Sequence, residues 1–249
     1  MLATVTDSAP AEAAARVTLR DAEPDDIDAC AQIVFDAFGG IQDDHRFPRD
    51  FPALEAARGL LGLWIPHPSI WGVVAEVDGR IVGSNFLDER DPIRGVGPLT
   101  VDPETQGAGV GRKLMAAVME RGQGATGIRL LQDAFNMRSL SLYESLGFDV
   151  KEPVGVITGR PRNEPAEGVE VRPMEEGDLE ECAVLCEWAH GFARTNELRD
   201  SIRAFAPFVA ARDGRIVAYA SAATFWPMNL MALGAYREPR GSWFPSVLY

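Results

Sequence analysis

Residues Leu99 to Gly122, LTVDPETQGAGVGRKLMAAVMERG, set a strand-like run against a glycine-rich turn that opens directly into an amphipathic helix. The turn carries Gln106, Gly107, Ala108, Gly109 and Gly111, and Arg112 and Lys113 stand at the start of the helix. Residues this small let backbone N–H groups close around an anion without side-chain interference. The first helical turn adds unpaired donors and a partial positive charge, so the pattern suits a pyrophosphate held at that end. Beyond the turn, Val110, Leu114 and Val118 fall four apart with Met115 and Met119 beside them, a buried helical stripe that Gly122 brings to a stop.

Spacing separates this device from two others. A nucleoside-triphosphate loop needs Gly-Lys followed by Ser or Thr, whereas Lys113 is followed by Leu114. A dinucleotide fingerprint needs G-x-G-x-x-G tight against its strand with an acid about twenty residues on. Here the glycines run G-x-G-x-G, Asp102 to Gln106 intervene, and Asp133 is the only acid near that distance.

The turn fits Q-x-x-G-x-G/A through Gln106, Gly109 and Gly111, and so resembles the acyl-CoA pyrophosphate motif of the GNAT acetyltransferase superfamily. A second stretch resembles the same family: Asn136, then Tyr143, then Leu146-Gly147-Phe148, following a strand over Ile128 to Leu131. Locally, Asn136 is a good N-cap, Leu142 and Leu146 share a helix face, Gly147 ends the helix, and Phe148 begins another strand. Asn136 and Tyr143 are about two turns apart and can face the same side. The resemblance implies an α/β (α+β) fold with a mixed central sheet, splayed middle strands and flanking helices. It also implies acetyl-CoA as co-substrate, Tyr143 as the acid that protonates the departing thiolate, and Asn136 as a hydrogen-bonding partner of the pantetheine arm. Leu99 and Val101 would pair with that arm through main-chain atoms, and Gln106 to Gly109, Gly111, Arg112 and Lys113 would hold the phosphates. The acceptor would be a small-molecule or peptide amine, attacking the thioester directly in a ternary complex.

The elements that must position these residues follow from periodicity. Val17 to Arg20 reads as a short strand, and Pro24 opens a helix whose apolar positions Ile27, Cys30, Val34 and Phe38 recur at helical steps until Gly39-Gly40 breaks it. A loop and a second helix around Leu54 to Leu63 follow. In the family this region overlies the acceptor, which makes His45, Arg46, Phe47, Phe51 and Trp64 candidates for selecting it, beside the plainer reading of loop residues and one core aromatic. Trp71 to Val77 and Arg80 to Leu87 form a hairpin about Asp78-Gly79. The strand around Gly95 to Val101 contains Gly97-Pro98, and proline cannot donate to a central ladder, so a bulge is expected there. The general base is left open: counting from the motifs puts Gly95 where some family members carry a carboxylate, with Asp88, Glu89, Asp91 or a water relay as alternatives.

The chain repeats its own beginning after Gly168. Val171 to Cys182 parallels Leu19 to Cys30, and Asp213 to Val217 repeats Asp78 to Val82 letter for letter. No Q-x-x-G-x-G turn and no Asn/Tyr motif follows in this second copy, although Leu230 to Tyr236 resembles a final strand like Val156 to Gly159. The expected organisation is a disordered tail at 1–16, a GNAT domain at 17–160, a linker at 161–168 and an incomplete GNAT-like repeat at 169–249. The repeat would pack against the first unit or against a second chain, giving a homodimer, and the apolar end Trp243 to Tyr249 would dock rather than hang free.

Composition narrows the partners. A net charge of −13 disfavours a nucleic-acid partner and suits a cationic acceptor. Cys30, Cys182 and Cys186 form no paired framework and read as buried thiols of a reducing, cytoplasmic compartment. His45, His67 and His190 have no metal-ligand spacing with them, so no metal is expected. No apolar run is long enough to cross a membrane and the first fifteen residues lack a basic leader. A non-catalytic acyl-CoA-binding sensor or scaffold is the alternative from another class.

Overall fold

The computed structural model describes residues 17–151, 153 and 165–221, together with the backbone of 234–236. The expected tail at 1–16, most of the linker, the strand at Val156 to Gly159 and the terminal apolar segment lie outside these residues. By its contacts the chain divides into two compact units, one of residues 1–89 and 93–149 and the other of residues 90–92 and 150–249.

The first unit begins with β1 (Thr18–Asp21), a single 3₁₀ turn (Pro24–Asp26), α1 (Ile27–His45) and α2 (Leu54–Trp64). The hairpin β2 (Ile70–Val77) and β3 (Arg80–Asp88) turns on Asp78 and Gly79, both at positive φ, as a two-residue primed turn requires. β4 (Ile93–Val96), β5 (Thr100–Val101), α3 (Val110–Arg121), β6 (Gly127–Leu130) and α4 (Met137–Ser145) complete the unit. The strands lie in the order β1-β2-β3-β4-β6, antiparallel except for the parallel pair β4/β6, and β5 also pairs with β3. Val110, Leu114 and Val118 of α3 close over Val73, Ala75, Val82 and Leu87 of the sheet. Gly83 permits that approach, because a Cβ there would stand 2.7 Å from the Thr100 carbonyl oxygen and 3.1 Å from Leu114.

Three sequence expectations are corrected. Gly39-Gly40 does not break the first helix, which runs on to His45 and ends at Arg46 in the left-handed region. Each glycine costs about 1 kcal/mol relative to alanine, but the turn beyond is held by tertiary contacts. Gln42 is buried and its Oε1 accepts from the Asp50 amide at 2.9 Å, while the missing Gly39 Cβ leaves room for the Arg49 guanidinium. No strand begins at Phe148: Gly147 takes positive φ and the Phe148 amide turns back to donate to the Tyr143 carbonyl at 3.1 Å. Finally, the run from Gly95 to Val101 is two strands rather than one. Both pair with β3, but Leu87 faces Val96 whereas Ser84 faces Thr100, a shift of one residue. Pro98 stands within the interruption, as the expected bulge required.

The second unit contains β7 (Val169–Pro173), a 3₁₀ turn (Glu176–Asp178), α5 (Leu179–His190), α6 (Thr195–Ala204), β8 (Phe208–Arg212), β9 (Arg215–Ala220) and β10 (Gly234–Tyr236). Its sheet runs β10-β9-β8-β7, all antiparallel, around a core of Leu179, Cys182, Cys186, Leu198, Val209 and Tyr219. Residues 90–92 group with this unit, where the Asp91 carboxylate accepts from the Asn196 and Glu197 amides in the first turn of α6.

A local arrangement near β1 recurs near β7. Arg20 forks onto both carboxylate oxygens of Asp26 at 2.7 and 2.8 Å, and Arg172 does the same to Asp178 at 2.7 and 2.8 Å. In each copy the same carboxylate also accepts a backbone amide three residues earlier, from Glu23 or Glu175, at 2.8 Å. The hairpin irregularity recurs as well, between Ala75 and Glu76 and between Ala210 and Ala211.

This clasp predicts a pH signature. The Arg20 guanidinium, helped by the Glu23 amide, holds the Asp26 carboxyl below the usual carboxylate range against the opposing effect of burial. A folded pKa below the unfolded one stabilises above the unfolded value and is lost as pH falls through the folded value. Asp26→Asn is therefore expected to cost about 1–2 kcal/mol at neutral pH, kept modest by the solvent around Arg20. The difference should close in acid, as denaturant titrations of both proteins would show.

Candidate functional site

Two glycines at the entrance to α3 have a conformational task. Gly107 and Gly109 take φ of +90° and +78°, and Gly109 is the N-cap of the helix. No heavy atom lies within 4 Å of a Cβ built at either one, so both open onto free space. Ala108 between them turns its side chain into the core, and its amide reaches the Thr105 carbonyl. The loop thus keeps its concave face to the backbone of Gly107, Gly109 and Gly111. The first turn of α3 contains no acidic residue, and Arg112 sits there instead. A cation at the positive end of a helix is unfavourable by itself, and an anion bound there offsets it.

The two cations next to the loop are not equivalent. Arg112 donates to the Ser145 hydroxyl at 2.7 Å and ties α3 to α4, while Lys113 reaches away to the Val17 carbonyl at 3.3 Å. A cation that sequence reasoning missed, Arg138 in the first turn of α4, donates to Gln106 Oε1 at 2.6 Å. It stands inside the second motif, but only the fold brings it 32 residues back to the loop.

Next to the loop runs β5. The Asp102 amide donates to the Val82 carbonyl, and hydrogen-bonded positions alternate along an antiparallel ladder. Thr100 therefore also faces β3, and the main-chain groups of Leu99 and Val101 face the other way. Among the described residues no strand pairs with β5 on that side, because β6 ends opposite Val96. The Val101 carbonyl accepts instead from Gln106 Nε2 at 3.2 Å. The sheet is splayed here, and its open edge leads straight to the glycine loop.

Helix α4 brings the second motif to the same region. Asn136 caps it, its Oδ1 accepting from the Ser139 amide at 3.2 Å. Tyr143 is buried, with its ring 6.1 Å from that of Phe148 in an edge arrangement, and burial pushes its phenol up to about 12. A phenol held neutral at physiological pH can donate a proton and not lose it beforehand.

The acceptor candidates sort into two groups. Phe51 is buried and Trp64 half-buried, in edge contacts with Phe38 and Phe86 respectively. His45 and the exposed Phe47 instead stack with Phe135, at 4.9 and 4.4 Å between ring centroids. Two carboxylates nearby in the fold, unremarked as a pair in the sequence, are shifted upward. Burial raises Asp50, with the charge of Asp133 adding to it, and burial alone raises Asp133. Of the acids weighed as a base, Glu89 is paired with Arg94 and Arg121, Asp91 caps α6, and Asp88 stands opposite Gly95 on β4. Among the described residues no group of three or more His, Cys, Asp or Glu could hold a metal, and no helix is long and apolar enough to cross a membrane.

Comparison with known proteins bears on the family and the fold. Residues 67–150 match the family described as the acetyltransferase (GNAT) domain. Mycothiol acetyltransferase of Thermomonospora curvata is 41% identical over 78 residues, 30% of this chain and 26% of that protein. Mycothiol acetyltransferase of Beutenbergia cavernae is 33% identical over 88 residues, 34% of this chain and 30% of that protein. The chain thus matches less than a third of the length of either curated relative. Among solved structures, the PaiA N-acetyltransferase of Thermoplasma acidophilum in complex with coenzyme A superposes with a TM-score of 0.50 at 16% identity, over 56% of this chain and 93% of that one. The likeness is one of fold: a mixed sheet flanked by helices.

The raised carboxyls carry their own prediction. A folded pKa above the unfolded one contributes stability below the unfolded value and loses it as pH rises through the folded value, so ionised Asp133 opposes folding at neutral pH. Asp133→Asn is expected to raise the melting temperature by about 1–2 °C at pH 7. Thermal melts should show the gain disappearing in acid, where the native carboxyl is protonated.

Proposed function

We propose, on the premise that residues 67–150 are a GNAT acetyltransferase domain, that this chain is an acetyl-CoA-dependent N-acetyltransferase that acetylates a primary amine. One observation carries the proposal: a strand edge at Leu99 and Val101, with no strand paired to it among the described residues, runs into a glycine-turned helix start that has two arginines near it and no acid in its first turn. A β-like arm ending in phosphates fits that sequence of surfaces, since the arm can pair as an added strand and the phosphates can meet the helix amides.

Bound acetyl-CoA supplies an acyl group already activated as a thioester, whose C–S bond breaks as the C–N bond to the amine forms. The chain's own contribution is largely placement. Leu99 and Val101 hold the arm by main-chain hydrogen bonds, the amide nitrogen of Asn136 is the half of that side chain left to face it, and the loop from Gln106 to Gly111 with Arg112 fixes the phosphate end. Lys113 adds charge to that end of α3. Main-chain donors at the splay stabilise the oxyanion, and Tyr143 protonates the leaving sulfur. Asp50 and Asp133 have the raised affinity for a proton that suits the group taking one from the acceptor's ammonium to leave the neutral amine that attacks.

The acceptor is read at the level of an amine on a small molecule or peptide. The mycothiol acetyltransferase relatives favour the small molecule, over the portion of their length that this chain matches. The second unit, which keeps the clasp and hairpin but has no glutamine after Gly168, is read as an incomplete repeat without a second acetyl-CoA site. That division places a catalytic domain before the linker at 161–168 and an accessory unit after it.

Calorimetry with acetyl-CoA and thiol release against a panel of amines test the proposal. The wild type is expected to bind and turn over, and Gly109→Glu, whose side chain would enter the loop's open space, to lose binding. Tyr143→Phe should lower kcat by about 10²-fold with KM for acetyl-CoA nearly unchanged. Tight binding without acetylation of any amine would make the chain a non-catalytic acyl-CoA-binding module, and no binding by the folded wild type would overturn the proposal.

A further inference from the structure

Gln106 is bonded at both ends of its side chain. Its Nε2 donates to the Val101 carbonyl at 3.2 Å, and its Oε1 accepts from Arg138 at 2.6 Å. The first contact sets the Gln106 side chain against the carbonyl that faces the open side of the splayed sheet and takes one of its two lone pairs, where an incoming arm needs space and an acceptor for its amide N–H. The second holds a guanidinium at the rim of the glycine loop, on a side chain that is otherwise solvent-exposed.

A guanidinium prefers a phosphate to a neutral amide oxygen, because the charged, two-pronged contact is roughly twice as strong. An anion on the loop therefore competes for Arg138. Once Arg138 turns to it, Gln106 loses its charged partner and keeps only a neutral bond across 3.2 Å to Val101. We infer that Arg138 is a phosphate ligand of the cofactor and that Gln106 is a plug on the pantetheine edge, released when the phosphates draw Arg138 away. The phosphate end of the cofactor thus opens the strand edge for its own arm. The inference rests on the acetyl-CoA reading above and adds a ligand and a coupling to it.

The coupling separates two ligands that share the arm but not the phosphates. Acetyl-CoA binding is measured by calorimetry, and S-acetylpantetheine by competition against it, for wild type, Arg138→Ala and Gln106→Ala. Both substitutions are at exposed positions, and matching melting temperatures establish that the variants fold. Arg138→Ala is expected to weaken acetyl-CoA by about tenfold or more while leaving S-acetylpantetheine unweakened. Gln106→Ala should tighten S-acetylpantetheine by about threefold or more, since the carbonyl no longer has to be uncovered. In addition, inorganic pyrophosphate at a concentration that occupies the loop should tighten S-acetylpantetheine in the wild type but not in Arg138→Ala, as linkage between the two ligands requires. Equal losses for both ligands in Arg138→Ala, wild-type affinity for acetyl-CoA in that variant, or no gain in Gln106→Ala would overturn the inference. Failure of the wild type to bind acetyl-CoA would instead overturn the reading beneath it.

Discussion

One missing hydrogen-bond donor organises the first unit. Pro98 has no N–H, and around it the strand after β3 is split into β4 and β5 with a one-residue change of register. β4 stays in the sheet by pairing with β6, whereas β5 keeps β3 as its partner and leaves its other edge open. The rest of the site is arranged around that opening. Gly83, without a side chain, lets β5 and Leu114 come close enough for α3 to start at the end of the open edge. The glycines at 107 and 109 then take positive φ and turn the chain into the helix.

Charge is distributed to match. The chain is acidic as a whole, yet the entrance to α3 has Arg112 and Arg138 around it and no carboxylate in its first turn. The opposite holds for the 3₁₀ turns that precede α1 and α5, where Asp26 and Asp178 sit at the amides and are answered by an arginine. The starts of α1 and α5 are thus neutralised from within the chain, whereas those of α3 and α4, which meet at Gln106 and Arg138, have no carboxylate in their first turns.

Much of this was legible in the sequence because it depends on short-range stereochemistry. Asp78-Gly79 fixed the hairpin, Gln106 to Gly111 the loop, Asn136 the cap of α4, and Gly97-Pro98 the break in the strand. The failures have a common origin in tertiary contacts. Gly39-Gly40 reads as a helix breaker until Arg49 and Gln42 are seen to brace the next turn, and Phe148 reads as a strand start until its amide is seen to return to Tyr143. In the site the same distinction holds. The main-chain roles expected of Leu99 and Val101 came from the family resemblance, whereas the reach of Arg138 to Gln106 and the upward shift of Asp50 beside Asp133 depend on residues far apart in sequence.

The duplicated clasp has a consequence for how each unit assembles. Arg20 and Asp26 are six residues apart, as are Arg172 and Asp178, so closing either turn costs little loop entropy and needs no part of the sheet. Arg20 then also meets Glu76, 56 residues on, so a locally formed turn presents a preset partner to the second strand when it arrives. Contacts of such short separation close on a faster timescale than non-local strand pairing such as that of β1 with β2. The same six-residue closure recurs at Arg172 and Asp178, so the first strand of the second unit's sheet also has a turn that forms within its own neighbourhood.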